Sequence, residues 1–111
     1  MKLNDRSSYY MIITATNPLQ DEYVNREYTS QLEDALYRKD YELVKLGNGH
    51  DDYSFIAYKT GFENNNELRY DAIELMDSLY QDFVIVKYFD EKKAKRIIKD
   101  GSERTVILSN Y

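Results

Sequence analysis

Residues 83–89, Phe-Val-Ile-Val-Lys-Tyr-Phe, are apolar on both faces of an extended chain. Because successive side chains of a strand point to opposite faces of a sheet, this run predicts a strand that is buried on both sides. A strand of that kind lies inside a sheet and has a neighbour at each edge. The stretch therefore predicts a sheet that continues into the residues that follow it.

The residues after this strand allow two interpretations. Residues 94–98 and 105–108 are rich in β-branched and long apolar side chains, and the Asp-Gly pair at 100–101 between them is a strong signal for a tight turn. This pattern predicts a β-hairpin. The alternative is a short helix over residues 90–99, with an aspartate as its N-cap and a glycine just past its end. We favour the hairpin.

Upstream of this strand, the sequence pattern predicts three further strands and two helices. The predicted elements are a strand at 9–15 ended by Asn17-Pro18, a helix at 22–39, strands at 41–46 and 53–59, and a helix whose apolar positions run from 68 to 79. The order strand–helix–strand–strand–helix–strand predicts an α+β fold of the ferredoxin-like split βαβ type, with both helices on one face of an antiparallel sheet. The hairpin would extend that sheet. No linker or internal repeat interrupts the chain, so residues 1–111 are expected to form a single domain.

Composition narrows the function classes. A chain of 111 residues with 42% hydrophobic residues is long enough for one folded core. It has no cysteine, which excludes a disulfide framework and a thiolate nucleophile. No apolar run reaches the ~18 residues of a membrane-spanning helix. We therefore expect a cytoplasmic protein with no membrane contact.

The net charge of −5 is unevenly distributed. Residues 1–86 contain 8 Lys and Arg against 16 Asp and Glu, whereas residues 87–111 contain 7 against 4. An acidic body disfavours non-specific nucleic-acid binding by the whole domain. Contact with nucleic acid is expected only through the basic C-terminal segment.

Tyrosine is unusually abundant, with 12 residues and no tryptophan. A tyrosine buries its ring and keeps its hydroxyl hydrated, so it suits partly exposed sheet faces and interfaces. Most of these rings are expected to line the edge of the core. An exposed tyrosine face or sheet edge is also compatible with a homodimer.

The predicted topology brings several polar residues to one end of the sheet. Strands one and four would be antiparallel neighbours, so Asn17, Asn25, the loop 47–52 and Gln81 should converge there. Amides beside a helix N-terminus form a polar site that favours an anion. The competing interpretation is that these asparagines satisfy local backbone groups in turns, and we weigh it as the stronger one for Asn17 and Gln81.

The loop 47–52 contains the only histidine, His50, followed by Asp51 and Asp52. These three side chains could bind a divalent cation, but adjacent residues give poor ligand geometry. A single histidine in a loop is more often a solvated side chain than a ligand. We predict no metal, no cofactor and no catalytic residue, because the sequence contains no phosphate-binding glycine loop, nucleophile elbow or zinc-protease motif.

A set of residues spread over 12–88 carries a family resemblance. The set comprises Ile13-Thr14-Ala15-Thr16-Asn17-Pro18, Asn25, Leu32, Leu36, Ser54-Phe55 and Gln81-Asp82-Phe83-Val84. It resembles a domain-of-unknown-function family of small bacterial and phage proteins with a Thr-Ala-x-Asn-Pro start and a late Gln before a strand. That family usually has an aromatic residue where Thr16 stands and commonly a glycine where Tyr80 stands. The resemblance marks Asn17, Pro18, Asn25 and Gln81 as site residues and implies no chemistry.

Two hypotheses about function follow. The first is a small acidic accessory or regulatory protein that binds a macromolecular partner, a protein above all; a phage-encoded modulator of a host system is one form of it. The second is a small-ligand or nucleotide-binding domain that uses the polar end at Asn17, Pro18, Asn25, His50, Asp52 and Gln81. A DNA-mimicking inhibitor is a weaker third, because mimicry needs a larger negative excess and the C-terminal segment is basic.

Overall fold

The computed structural model describes residues 8–17, 19–46, 54–59 and 64–107. Its elements, in chain order, are β1 (Tyr10–Thr14), α1 (Glu22–Arg38), β2 (Glu42–Leu46), β3 (Ser54–Tyr58), α2 (Asn65–Ser78), β4 (Phe83–Lys87), β5 (Ala94–Ile98) and β6 (Glu103–Val106). Neither of these helices is long and apolar enough to cross a membrane.

The six strands form one open antiparallel sheet with the order β2-β3-β1-β4-β5-β6. The two central strands are β1 and β4, and Met11 of β1 pairs with Ala57 of β3 on one side and Val86 of β4 on the other. The predicted α+β class is confirmed by this sheet and its two helices. Residues 94–98, for which a helix was the alternative, form strand β5.

Each helix begins at a side chain that caps it. The Asp21 carboxylate accepts a hydrogen bond of 2.9 Å from the Val24 backbone N–H, and the Asn64 side chain accepts one of 3.1 Å from the Glu67 N–H. Such a cap contributes about 1 kcal/mol to stability. Because the cap is Asn64, α2 begins at Asn65, three residues before the first apolar position of the predicted helix.

Both helices pack on the same face of the sheet. Their buried residues share one cluster with alternate residues of the strands, and its largest members are Met11, Ile13, Leu32, Leu36, Phe55, Leu68, Leu75, Met76, Val84, Val86 and Ile97. Each of these side chains contributes roughly 1.5–3 kcal/mol through its burial. The periodicity that predicted the helices is the periodicity of this buried face.

The opposite face of the sheet has a smaller buried cluster. Tyr10, Ile12, Ile56 and Ala94 form it, and they are the residues that alternate with the helix-facing ones. The central strands are therefore apolar on both faces, as the composition of residues 83–89 predicts for β4.

Strand β4 departs from the prediction in two respects. It ends at Lys87, two residues before the predicted boundary, and its first residue, Phe83, is 44% exposed. Lys87 is fully buried, and its ammonium group donates hydrogen bonds to the carbonyl oxygens of Ser8 (2.6 Å) and Tyr88 (3.1 Å). Since a buried charge is costly unless it is hydrogen-bonded, these carbonyl groups allow a lysine in an apolar strand.

Candidate functional site

The end of the sheet where β1 ends and β4 begins, here called the pole, brings together three of the predicted site residues. Asn17 follows β1, Asn25 lies in the first turns of α1, and Gln81 precedes β4. The Gln81 side chain amide donates to the Thr16 carbonyl oxygen at 3.4 Å across 65 positions of sequence. Pro18, His50 and Asp52, the other predicted site residues, lie outside the residues that the structure describes.

Asn17 and Asn25 are joined by a reciprocal pair of hydrogen bonds. The Asn17 backbone N–H donates to Asn25 Oδ1 at 2.9 Å, and Asn25 Nδ2 donates to the Asn17 carbonyl oxygen at 3.1 Å. The Asn17 side chain oxygen accepts from the Leu19 N–H at 2.9 Å. These amide groups therefore fix the chain between β1 and α1, and a ligand would have to compete with bonds that already exist.

Gln81 also has a structural role. Its backbone N–H donates to the Met76 carbonyl oxygen at 3.0 Å, which closes the C-terminal turn of α2. Its side chain amide lies 3.4 Å from the Thr16 carbonyl and 3.5 Å from that of Leu79, so both bonds are long. The residue ties the end of α2 to the end of β1.

Two side chain oxygens close to these residues are buried and accept no hydrogen bond within the described part of the chain. They are Gln20 Oε1, three residues after Asn17, and Thr29 Oγ1, one helical turn after Asn25. A buried polar atom without a partner costs about 1–3 kcal/mol. The interior side of the pole therefore retains some unused hydrogen-bonding capacity.

Tyr80, beside Gln81, has an unusual backbone conformation. Its φ is 56°, in the left-handed region that a residue with a Cβ adopts at a cost of about 1 kcal/mol. The ring is 71% exposed and contacts Tyr28 of α1 edge-on, with 6.5 Å between the ring centres. Glycine is the residue that this position favours on backbone grounds. An aromatic residue stands there although a glycine would be less strained.

Tyr80 belongs to a group of exposed apolar side chains at the pole. Leu19, in the turn before α1, is 93% exposed, and Tyr23, in the first turn of α1, is 69% exposed. We call Leu19, Tyr23 and Tyr80 the pole surface. Exposed aromatic and long aliphatic side chains clustered at one end of a domain are typical of protein contact sites.

Acidic side chains surround the pole surface. Asp21 and Glu22 are exposed at the start of α1, and Asp82 is exposed at the start of β4. Asp82 pairs with Lys99 at 3.2 Å. The Glu22 carboxylate remains available to a basic partner, whereas Asp21 caps α1, and both suit the positive end of the helix dipole.

Sequence reasoning missed a buried polar cluster on the other side of α2. The Tyr41 hydroxyl donates to Asp71 Oδ2 at 2.9 Å, and Lys39 lies 3.5 Å from Asp71 Oδ1. The Lys59 ammonium group lies 4.5 Å from the centre of the Tyr41 ring. A signal existed: Asp71 lies on the apolar stripe of α2, three residues after Leu68, where a carboxylate needs a buried partner.

Burial, with the Asp71 hydrogen bond as the next cause, raises the pKa of Tyr41 well above its ordinary value. Its hydroxyl therefore stays protonated at neutral pH and acts as a donor. A hydrogen bond from Lys39 lowers the pKa of Glu74, and the same contact raises the pKa of Lys39. The cluster links the end of α1 to α2, and the hydrogen bond from the Tyr41 hydroxyl to Asp71 suits a structural role.

A second missed cluster joins α2 to β6. Glu103 Oε1 accepts hydrogen bonds from the Tyr88 hydroxyl and from Arg69 Nε, the latter at 3.1 Å. Arg69 Nη2 also donates to the Gly101 carbonyl oxygen at 3.0 Å. The turn between β5 and β6 is thereby held against the helix.

Among the described residues, no three histidine, aspartate or glutamate side chains are grouped so that they could hold a metal ion. No family model, no curated protein and no solved structure matches the chain. The resemblance carried by Asn17, Pro18, Asn25 and Gln81 therefore stays a prediction.

Proposed function

We propose that this chain is a small acidic accessory or regulatory protein of the cytoplasm that binds a protein partner through the pole surface. We also assign the first four strands and two helices to the ferredoxin-like split βαβ class, with β5 and β6 as a C-terminal hairpin extension. The strand order β2-β3-β1-β4 supports that assignment.

The observation that carries the functional proposal is the conformation of Tyr80. A residue with a Cβ in the left-handed region is strained, and the strain persists here at a side chain that is largely exposed. Folding alone would favour glycine at this position. The presence of a ring at the same end of the sheet as the exposed Leu19 therefore supports a role in recognition, since tyrosine is among the residues that contribute most to binding energy at protein interfaces.

The charges indicate the chemistry of the partner. Asp21 and Glu22 flank the pole surface, and the whole chain carries a net charge of −5. A partner with an apolar contact edged by lysine or arginine would complement this end of the molecule. Its capture should weaken as the salt concentration rises, because exposed charges are screened.

The proposal is tested by affinity capture from a bacterial lysate with three forms of the protein. Tyr80→Gly removes the ring and suits the backbone conformation, so this variant should fold. Tyr70→Ala is the matched control, because Tyr70 is 66% exposed but lies on α2 outside the pole surface. We expect a stoichiometric partner that the wild type and Tyr70→Ala retain and Tyr80→Gly loses.

Two outcomes contradict the proposal. One is the absence of any stoichiometric partner across salt concentrations, and the other is a partner that all three forms retain equally. The small-ligand or nucleotide alternative rests on the buried oxygens of Gln20 and Thr29. It predicts a ligand-induced rise in melting temperature that Gln81→Ala abolishes and Tyr80→Gly leaves intact.

A further inference from the structure

The face of the sheet opposite the helices is basic and partly open over β4, β5 and β6. Arg96 of β5 and Arg104 of β6 are register partners and are both exposed. Phe83 of β4 and Ile98 of β5 are also register partners, and they are 44% and 39% exposed. By the alternation of side chains along the strands, these four residues share one face.

The two arginines are directly opposite each other, so their Cα atoms lie about 4.5–5.5 Å apart. Like charges in this arrangement repel and disfavour the sheet. Within the described part of the chain, neither guanidinium group forms an ion pair or a hydrogen bond. The Arg96 guanidinium carbon lies 5.6 Å from the centre of the Phe83 ring. No ion pair or hydrogen bond within the described residues therefore offsets the repulsion between these two arginines.

No carboxylate lies on the same face of these three strands. Glu103, the acidic residue of β6, is on the helix side, where it pairs with Arg69. The excess of acidic residues belongs to residues 1–86, whereas residues 87–111 carry three more basic than acidic side chains. On this face of β4, β5 and β6 the exposed charged side chains are the two arginines, and charges act over about 10 Å at ordinary salt.

We infer that this face, formed by Phe83, Arg96, Ile98 and Arg104, binds a single-stranded nucleic acid. The arginines would contact phosphates, and the exposed ring of Phe83 offers a base a stacking partner. An acidic peptide would satisfy the arginines but would leave the ring unused. A duplex fits less well, because its bases are already stacked and its tight binding needs many more phosphate contacts. This inference is independent of the pole surface.

The experiment measures fluorescence anisotropy of short labelled oligothymidylate and oligouridylate with the full chain. The test variant is Arg96→Gln/Arg104→Gln. Its matched control is Lys92→Gln/Lys93→Gln, which removes the same charge from exposed residues in the β4–β5 connection, at the other end of these strands. Phe83→Leu removes the ring and keeps an apolar side chain. Melting temperatures verify that every variant is folded.

We expect the arginine variant to bind at least about tenfold more weakly than the wild type, and the lysine variant to change less than about threefold. Phe83→Leu should weaken binding at least about fivefold. With two phosphates neutralised, affinity should fall about sevenfold between about 50 and about 200 mM salt, and the arginine variant should lose most of that dependence. The tighter of the two oligonucleotides identifies DNA or RNA as the ligand.

Three results would overturn the inference. The first is no anisotropy change with the wild type at low salt, and the second is equal weakening by the arginine and lysine variants. The third is binding of a labelled oligoglutamate peptide with the same affinity and the same response to the variants. That result would identify an acidic protein segment as the occupant in place of nucleic acid.

Discussion

Asn25 uses both ends of its side chain amide on a single neighbour, the backbone of Asn17. A residue chosen to bind a ligand would need at least one of those groups free. At the scale of single residues, the polar side chains at the pole thus contribute mainly to folding. The exposed side chains of Leu19 and Tyr80, at the same end of the sheet, are the part of the pole that remains for recognition of a partner.

We expect Asn25→Ala to lower the free energy of unfolding by about 2 kcal/mol, because it leaves the Asn17 N–H without its acceptor and removes one of the two donors to the Asn17 carbonyl, which keeps the Gln20 N–H. The measurement is a urea denaturation midpoint at an unchanged slope. The control is Asn66→Ala, an exposed position on α2. This control should change stability by less than about 0.5 kcal/mol. Equal midpoints for the two variants would contradict the structural role of Asn25.

At the scale of elements, α2 connects the two halves of the sheet. On one side Asp71 accepts a hydrogen bond from the hydroxyl of Tyr41, which precedes β2. On the other side Arg69 binds Glu103 and the Gly101 carbonyl. The helix therefore fixes the position of β5 and β6 relative to the rest of the domain.

We expect Glu103→Ala to destabilise the protein by about 2 kcal/mol, because the buried Tyr88 hydroxyl and Arg69 both lose their acceptor. Hydrogen exchange should accelerate at the amides of β5 and β6 and remain slow in β1 and β3. Glu91→Ala is the control, since Glu91 forms a partly exposed pair with Lys95 four residues along the chain. That pair is worth less than about 1 kcal/mol. Uniformly faster hydrogen exchange in all strands would contradict a stabilising effect of Glu103 that is confined to β5 and β6.

At the scale of the whole molecule, three buried tyrosines make stability sensitive to alkali. Burial raises the pKa of Tyr10 to about 12, and burial is also the largest cause of the raised pKa of Tyr41 and of Tyr88. Their hydrogen bonds to Asp71 and to Glu103 act in the same direction. All three hydroxyls therefore stay protonated in the folded state at a pH where the unfolded chain ionises.

The pKa of each of these tyrosines is higher in the folded state than in the unfolded chain. Their contribution to the free energy of unfolding is therefore complete below about pH 10 and is lost as the pH rises above it. For Tyr10 the loss extends to about pH 12. Each tyrosine lowers stability by about 1.4 kcal/mol per pH unit in its window. Urea denaturation at a series of alkaline pH values measures the slope, and Tyr88→Phe should reduce it by about one third. An identical slope for wild type and variant would contradict this account.

Most of the element boundaries follow from local patterns. The continuous apolar runs at residues 9–15 and 83–89 predict strands buried on both faces of a sheet, and the strands observed there are β1 and β4. The convergence of Asn17, Asn25 and Gln81 followed from the predicted neighbours β1 and β4, without any information on side chains.

Other features of the site depend on contacts that no local pattern encodes. Arg69 and Glu103 are separated by 34 positions, and their contact exists only because α2 lies over β6. The left-handed conformation of Tyr80 arises from how the chain leaves α2 to enter β4. Tyrosine has no intrinsic preference for the left-handed conformation, so the residue type does not predict it.

The position of β1 at the centre of the sheet has a consequence for synthesis of the chain. Its partners β3 and β4 begin about 40 and about 70 residues later in the sequence. At a translation rate of roughly 5–20 residues per second, the nascent strand waits about 2–8 seconds for the first partner and about 4–14 seconds for the second. During that interval Met11, Ile12 and Ile13 have no sheet to cover them. The rate of translation therefore sets how long a chaperone has to bind this segment before the sheet closes over it.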